Sequence, residues 1–364
     1  MRLQKLHVER LRSLESVSIT PSGDFVLFQG ENGAGKTSLL ESVSFLATGR
    51  SFLNSRPGHL ISDGASDTLV SGLIQESDNA YQLGIQRDRA GKVNARINGE
   101  TVKALSELAH RLPFLVVGAE GLGWLAGTPQ RRRSILDWGV FHVQKLPGGV
   151  FSRYRKALEQ RNKALKNDKI SQSDVAPWDQ ILAESGQAIV EARQAYLGQL
   201  NEVFQGLASG VSGLPEIRLN HRVGYSQDKG DLLAALTRGW QRDRVMGMTH
   251  SGPHRGDLEI LCRGVAATEN LSRGQQKVLV ALIVLSQQQL LWSAHQRKVV
   301  LLVDDLAAEL DDHRQTRLWE LMTQTGAQVF ITAVDAQRVR PILDSSRKVQ
   351  TFHVKRGSVV EVEA

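Results

Sequence analysis

The sequence predicts an α/β fold interrupted by a helical insertion, and three observations carry that prediction. A short apolar run, a glycine-rich loop and a periodic apolar segment follow one another between Asp24 and Gly49. Alternating apolar and polar residues then mark strands from Thr68 to Ile97, whereas amphipathic helical patterns begin at Thr128. Strand patterns return past residue 250, so we expect a first lobe over 1–105, a helical insertion over 106–250 and a return to the core over 251–364.

The glycine loop reads GENGAGKT, Gly30 to Thr37, and fits G-x-x-x-x-G-K-[ST]. In such a loop the backbone N–H groups of Gly30, Glu31, Asn32, Gly33, Ala34 and Gly35 cradle phosphate oxygens. Lys36 reaches the β/γ-phosphates and the Thr37 hydroxyl holds Mg²⁺. The flanks agree. DFVLFQ before it is a buried strand, and Leu39, Leu40, Val43, Leu46 and Ala47 after it lie at helical spacing, with Gly49 as the stop. The helix N-terminus then faces the phosphates. ATP and Mg²⁺ are the expected cofactors.

Composition bounds the rest. The chain has 364 residues, with 45 Lys and Arg against 38 Asp and Glu, a net charge of +7 that suits a nucleic-acid partner. A lone cysteine, Cys262, excludes an internal disulfide and suits a cytoplasmic location. The N-terminus lacks the pattern of a signal peptide, and no apolar stretch reads as long enough to span a bilayer, so no membrane is expected.

LQKLHVERLRSLESVSIT is expected to form two antiparallel strands, and Asn98-Gly99 a tight turn. Thr128-Pro129 starts a helix through QRRRSILDWGVFHV. Two further helices follow, FSRYRKALEQRNKALKND and the segment from Pro177 to Ala208, with KNDKISQSDVAP as a polar linker. KVVLLVDDL and QVFITAV read as buried strands, RQTRLWELMTQ as a helix, and TFHVKRGSVVEVE as a hairpin.

Two further motifs complete a nucleotide site. VVLLVDD ends a strand in two carboxylates: Asp304 can hold the metal through water, and Asp305 can position or deprotonate an attacking water. NLSRGQQ precedes a long apolar helix, so Ser272, Gly274 and Gln275 form either an anion site or a polar cap. Their order along the chain resembles the ATP-binding-cassette ATPases. That resemblance implies an ABC-type ATPase head, with the serine-glycine signature of one subunit contacting the γ-phosphate held by the other.

Within that superfamily, HVERLRSLESVSI, GENGAGKTSLLESVSFLATGRSF, GTPQRRRSILDWGVF, YRKALEQRNKALK, SGPHRGDL, LSRGQQKVLVALIVLSQ and LLVDDLAAELD resemble the RecF family over nearly the whole chain. These bacterial proteins act in DNA replication, replication restart, recombinational repair and the SOS response. The resemblance implies a slow ATPase whose ATP-bound homodimer engages duplex DNA and single-strand/double-strand junctions without sequence preference. It also implies work with RecR, and often RecO, to load recombinase at single-strand gaps. The alternative is the ATPase subunit of a membrane transporter, which shares the three nucleotide motifs.

The departures point to a switch rather than a fast motor. Asp305 stands where the cassette family usually has Glu, Thr332 near where many members carry a switch histidine, and Glu120 is the nearest counterpart of an inter-lobe glutamine. Arg131, Arg132 and Arg133 are candidate DNA contacts, although successive helical residues turn by about 100° and cannot share one face. His250, His254 and Asp257 sit on a Gly/Pro loop without fixed metal geometry, and Trp138, Trp178 and Trp240 read as core aromatics.

Overall fold

Strands that alternate in sequence pair with one another, and strands that are apolar throughout lie buried between parallel neighbours. In chain order these are β1 (Arg2–Leu11), β2 (Leu14–Ile19), β3 (Phe25–Gln29), α1 (Lys36–Thr48), β4 (Asp67–Glu76), β5 (Asn79–Asp88), β6 (Val93–Ile97) and β7 (Glu100–Thr101). Then come α2 (Ser106–Arg111), β8 (Phe114–Val117) and α3 (Ala119–Ala126). The helical part holds α4 (Pro129–Gly139), α5 (Val150–Ala164), α6 (Gln172–Ser209), β9 (Ile217–Arg222), α7 (Leu232–Met246), β10 (Asp257–Cys262), β11 (Val265–Ala266) and α8 (Ala267–Asn270). The chain returns through α9 (Arg273–His295), β12 (Val300–Asp304), α10 (Asp312–Thr325), β13 (Gln328–Ala333), β14 (Val349–Lys355) and β15 (Ser358–Val362). This computed structural model describes residues 1–53, 57–144, 146–305, 310–335, 339 and 348–362.

The chain divides into two units, Met1–Leu122 with Ser272–Ala364, and Gly123–Leu271. The first holds two sheets. One is antiparallel in the order β2-β1-β4-β5-β6-β7, and the other runs β15-β14-β3-β13-β12-β8, parallel except for the β14–β15 hairpin. Helix α1 contributes Leu39, Leu40, Val43, Phe45 and Leu46, all fully buried, to a core shared with residues of both sheets. At roughly 1.5–3 kcal/mol for each fully buried large apolar side chain, that burial outweighs the helix's lack of a side-chain cap, worth about 1 kcal/mol.

These boundaries differ from the sequence division. β8 belongs with the first unit because it pairs with β12, and residues 251–271 belong with the second because β10 pairs with β9. Helix α6 begins at Gln172, inside the expected linker KNDKISQSDVAP rather than at Pro177. Ser171 and Asp174 make a capping box, and Pro177 is carried inside the helix. Helix α9 corrects the expectation about membrane-length segments, since its 23 residues are long and apolar enough to span one. Here most of it is buried inside the protein, Val278 to Leu285 entirely.

The second unit packs α4, α5, α6 and α7 with the small antiparallel sheet β11-β10-β9. Trp240 is buried beside Leu165 and Val175, with Trp178 against them. The Trp138 ring lies 4.5 Å from that of His142, tilted by 41°, and His142 sits in a short π-helical turn (Val140–Gln144) that continues α4.

Candidate nucleotide-binding site

The glycine loop is shaped by contacts far away in sequence. Gly30 has φ +153°, and a Cβ there would stand 2.2 Å from the Val354 carbonyl oxygen on β14, so only glycine fits. The turn after β14 then donates from Gly357 N–H to Ala34 O at 2.9 Å. Helix α1 starts at Lys36 with no side-chain cap and no acidic residue in its first turn. Its first amides are thereby left to an anion.

Lys36 Nζ donates to the loop's own carbonyls, Gly30 O at 2.7 Å and Glu31 O at 2.8 Å. Burial holds this ammonium below its ordinary pKa, and the carboxylates of Asp305 and Asp304 oppose that shift. Thr37 Oγ1 donates to Asp304 Oδ1 at 3.0 Å. β12 carries Asp304 to that point because it is two strands from β3, with β13 between them.

Thr332 lies on β13 directly opposite Asp304. Its hydroxyl donates to Asp304 Oδ1 at 2.7 Å and accepts from Asp305 N–H at 3.0 Å. Asp305 adopts the left-handed conformation, φ +48°, uncommon outside glycine. These groups line a cavity of about 650 Å³ together with Ser13, Arg273 and Lys277. Sequence reasoning missed the last three, and missed Val354 and Gly357 behind the loop.

The signature serine caps its own helix. Ser272 Oγ accepts from Gln275 N–H, and Gln275 Oε1 accepts from Ser272 N–H at 2.9 Å. The Ser272 hydroxyl proton is not used by that cap and is left to donate elsewhere. The side chain of Glu120 lies outside the described residues, as do residues 306–309 of LLVDDLAAELD. Asp311 caps α10, accepting from Arg314 N–H at 2.8 Å.

The three arginines of α4 are not equivalent. Arg132 makes a two-pronged ion pair with Asp257, at 2.8 and 2.7 Å, and Arg133 donates to Gly256 O at 2.6 Å. Both are tied into the second unit's own packing, in keeping with a helix on which the three cannot share one face. Arg131 has no ion pair among the described residues. His250 contacts Asp243, His254 contacts Tyr154 and Asp257 contacts Arg132, so each of the three faces a different partner.

Known proteins resemble this chain along nearly its whole length. The chain matches the RecF/RecN/SMC N-terminal domain family over residues 2–358. It is 36 % identical over 360 residues to the DNA replication and repair protein RecF of Pseudomonas aeruginosa, covering 99 % of this chain and 97 % of that one. The RecF of Stutzerimonas stutzeri is 35 % identical over 363 residues, covering 100 % of this chain and 98 % of its own. Among solved structures, the recombination mediator RecF with ATP, of the RecFOR pathway, superposes with a TM-score of 0.88 at 25 % identity, covering 99 % of this chain and 97 % of that one. An Smc head domain from Pyrococcus furiosus shares the fold, with a TM-score of 0.58 at 16 % identity and coverage of 99 % and 96 %. The ABC-type ATPase head expected from the motifs is therefore the observed architecture, and the chain belongs to the RecF family.

Proposed function

We propose that the chain is an ATP-dependent DNA-binding switch in recombinational repair and replication restart. The observation that carries this reading is the convergence of Lys36, Thr37 and Asp304 on one cavity at an uncapped helix N-terminus. The loop amides would hold a triphosphate, and Lys36, now on the Gly30 and Glu31 carbonyls, would supply positive charge to its β- and γ-phosphates. A hydroxyl and a carboxylate 3.0 Å apart fit Mg²⁺, which takes few protein ligands and keeps phosphate and water for the rest. Thr37 and Asp304 would hold it, and when bound it neutralises charge on the phosphates.

Asp305 orients or deprotonates the attacking water. Its side chain is one methylene shorter than the glutamate usual in ATP-binding-cassette ATPases, which fits slow hydrolysis. Ser272, Gly274 and Gln275 serve the γ-phosphate of a second copy, so ATP joins two copies and hydrolysis releases them. The relative solved with ATP belongs to the RecFOR pathway, which supports RecR and RecO as partners and single-strand gaps as the place of action. The transporter alternative draws no support from these relatives.

Two basic copies joined by ATP form one DNA-binding surface. In the α4 trio the direct phosphate contact falls first to Arg131, whereas Arg132 and Arg133 add to the field. Binding of a gapped duplex, measured with and without ATP across a salt series, tests the reading. Tight binding is expected only with ATP, with a log–log salt slope near 0.9 per phosphate neutralised. Equal affinity without nucleotide, or a flat salt response, overturns it.

A further inference from the structure

At the C-terminal end of α7 three apolar side chains stand in solvent: Val245 is 82 % exposed, Met246 58 % and Met248 41 %. Exposed apolar side chains grouped together and rimmed by polar ones mark interaction sites. Methionine suits such a site, because its flexible thioether adapts to a partner's shape.

The turn that presents them is held rigidly. Gly247, left-handed, closes α7 by donating to Arg244 O, and Met248 N–H donates back to Asp243 O at 3.1 Å. The next residue, Thr249, is clamped by Asn162 Oδ1, which accepts from its N–H at 2.8 Å and from its hydroxyl at 2.7 Å. Beneath lies Arg161, wholly buried, donating to Asp243 at 2.7 Å and to Thr249 at 2.9 Å and paired also with Asp179. Burying such a network costs several kcal/mol per ion before its contacts offset it. Its result is a turn of fixed shape with its apolar side chains outward.

The rim is positive. Lys166 lies 3.7 Å from where a Gly247 side chain would begin, and Arg255 Nη2 reaches Met248 Sδ at 3.2 Å. Exposed Lys163, Arg242 and Arg244 stand on the same two helix ends, and none of the three is ion-paired among the described residues. Glu159 and Asp168 are the exposed acids of these segments, since Asp243 is buried.

From this we propose that the α7 tip docks an acidic protein segment whose carboxylates alternate with large apolar side chains. Nucleic acid fits less well, because its phosphates gain nothing from the exposed apolar side chains of Val245 and Met246. A peptide places apolar side chains on the methionines and its carboxylates on the rim.

The test uses the full chain without nucleotide, which separates it from the ATP-dependent reading above. Fluorescence anisotropy follows a labelled peptide of alternating Asp/Glu and Leu/Phe, a peptide of equal charge with Ser for Leu and Phe, and a labelled duplex DNA. The first peptide should bind more tightly than the second. Val245→Ser with Met246→Ser should weaken it about fivefold or more, and Lys166→Glu with Arg244→Glu about tenfold. All four positions are exposed, and thermal melts check that the variants fold. The proposal is overturned by no binding of the first peptide, by equal binding of the two peptides, or by a serine variant that weakens only the duplex.

Discussion

The Thr332 hydroxyl lies 2.7 Å from Asp304 Oδ1, the same oxygen that accepts from Thr37 at 3.0 Å. One carboxylate oxygen is therefore fixed from the end of β13 and from the first turn of α1, and Thr332 also holds the backbone of Asp305. Thr332→Val keeps the shape and removes both bonds. Leaving a buried partner unmade costs about 1–3 kcal/mol. We expect a lower melting temperature and slower ATP hydrolysis, with Thr332→Ser restoring much of both. A valine variant with unchanged hydrolysis would show that Thr332 merely fills space.

Lys36→Met removes the charge that turns from the loop carbonyls to the phosphates. ATP binding, followed by equilibrium dialysis, should be lost while the melting temperature without nucleotide stays near that of the parent. A folded variant that still binds ATP and still responds to it would remove the phosphate-loop assignment.

Asp305→Asn keeps the shape and loses the base. Nucleotide affinity should persist while single-turnover hydrolysis slows by about 10²–10⁴-fold, the usual worth of a general base. Loss of affinity instead would make Asp305 a ligand of the bound nucleotide complex.

Ser272→Arg should abolish ATP-dependent dimerisation, read by light scattering, because a bulky cation fills the pocket of the second copy. It also removes a helix cap worth about 1 kcal/mol, so Ser272→Asn, which can cap, is the control. Equal loss of nucleotide affinity in the isolated monomer would favour a role within one copy.

Two half-buried histidines set a pH dependence. His254 is held down at a pKa of about 4, chiefly by burial, and His221 likewise, with Arg193 adding to the effect. Below pH 6.5 the unfolded chain takes up protons at these rings that the folded chain refuses until about pH 4. Stability should therefore be full above that window and fall as pH drops through it. Neither ring nitrogen of His221 has a hydrogen-bond partner among the described residues, so His221→Leu should cost little at pH 7 and flatten the slope of melting temperature against pH. An unchanged slope would mean that this ring is protonated in the folded state.

Local chemistry was legible in the sequence and long-range support was not. GENGAGKT, the strand ending at Asp304 and the cap at Ser272 each act within a few residues, so spacing alone exposes them. Thr332 meets Asp304 only because β13 lies beside β12, and no periodicity in either strand states that order. Ser13, Val354 and Gly357 support the loop from elements at opposite ends of the chain. Pro177 hid the true start of α6, although Ser171 and Asp174 spell a cap, because burial of Val175 and Leu182 overrides the missing N–H. β8 escaped notice because four apolar residues, FLVV, are too few to separate strand from helix.

The Gly357–Ala34 bond has a consequence for biosynthesis. A ribosome makes the glycine loop early and the turn that braces it hundreds of residues later. Until β14 is added, Gly30 faces no Val354 carbonyl and β3 lacks its outer neighbour. During synthesis the glycine loop therefore stands without the brace it has in the finished fold. A prematurely terminated chain therefore never acquires the loop shape that Val354 and Gly357 impose on the finished one.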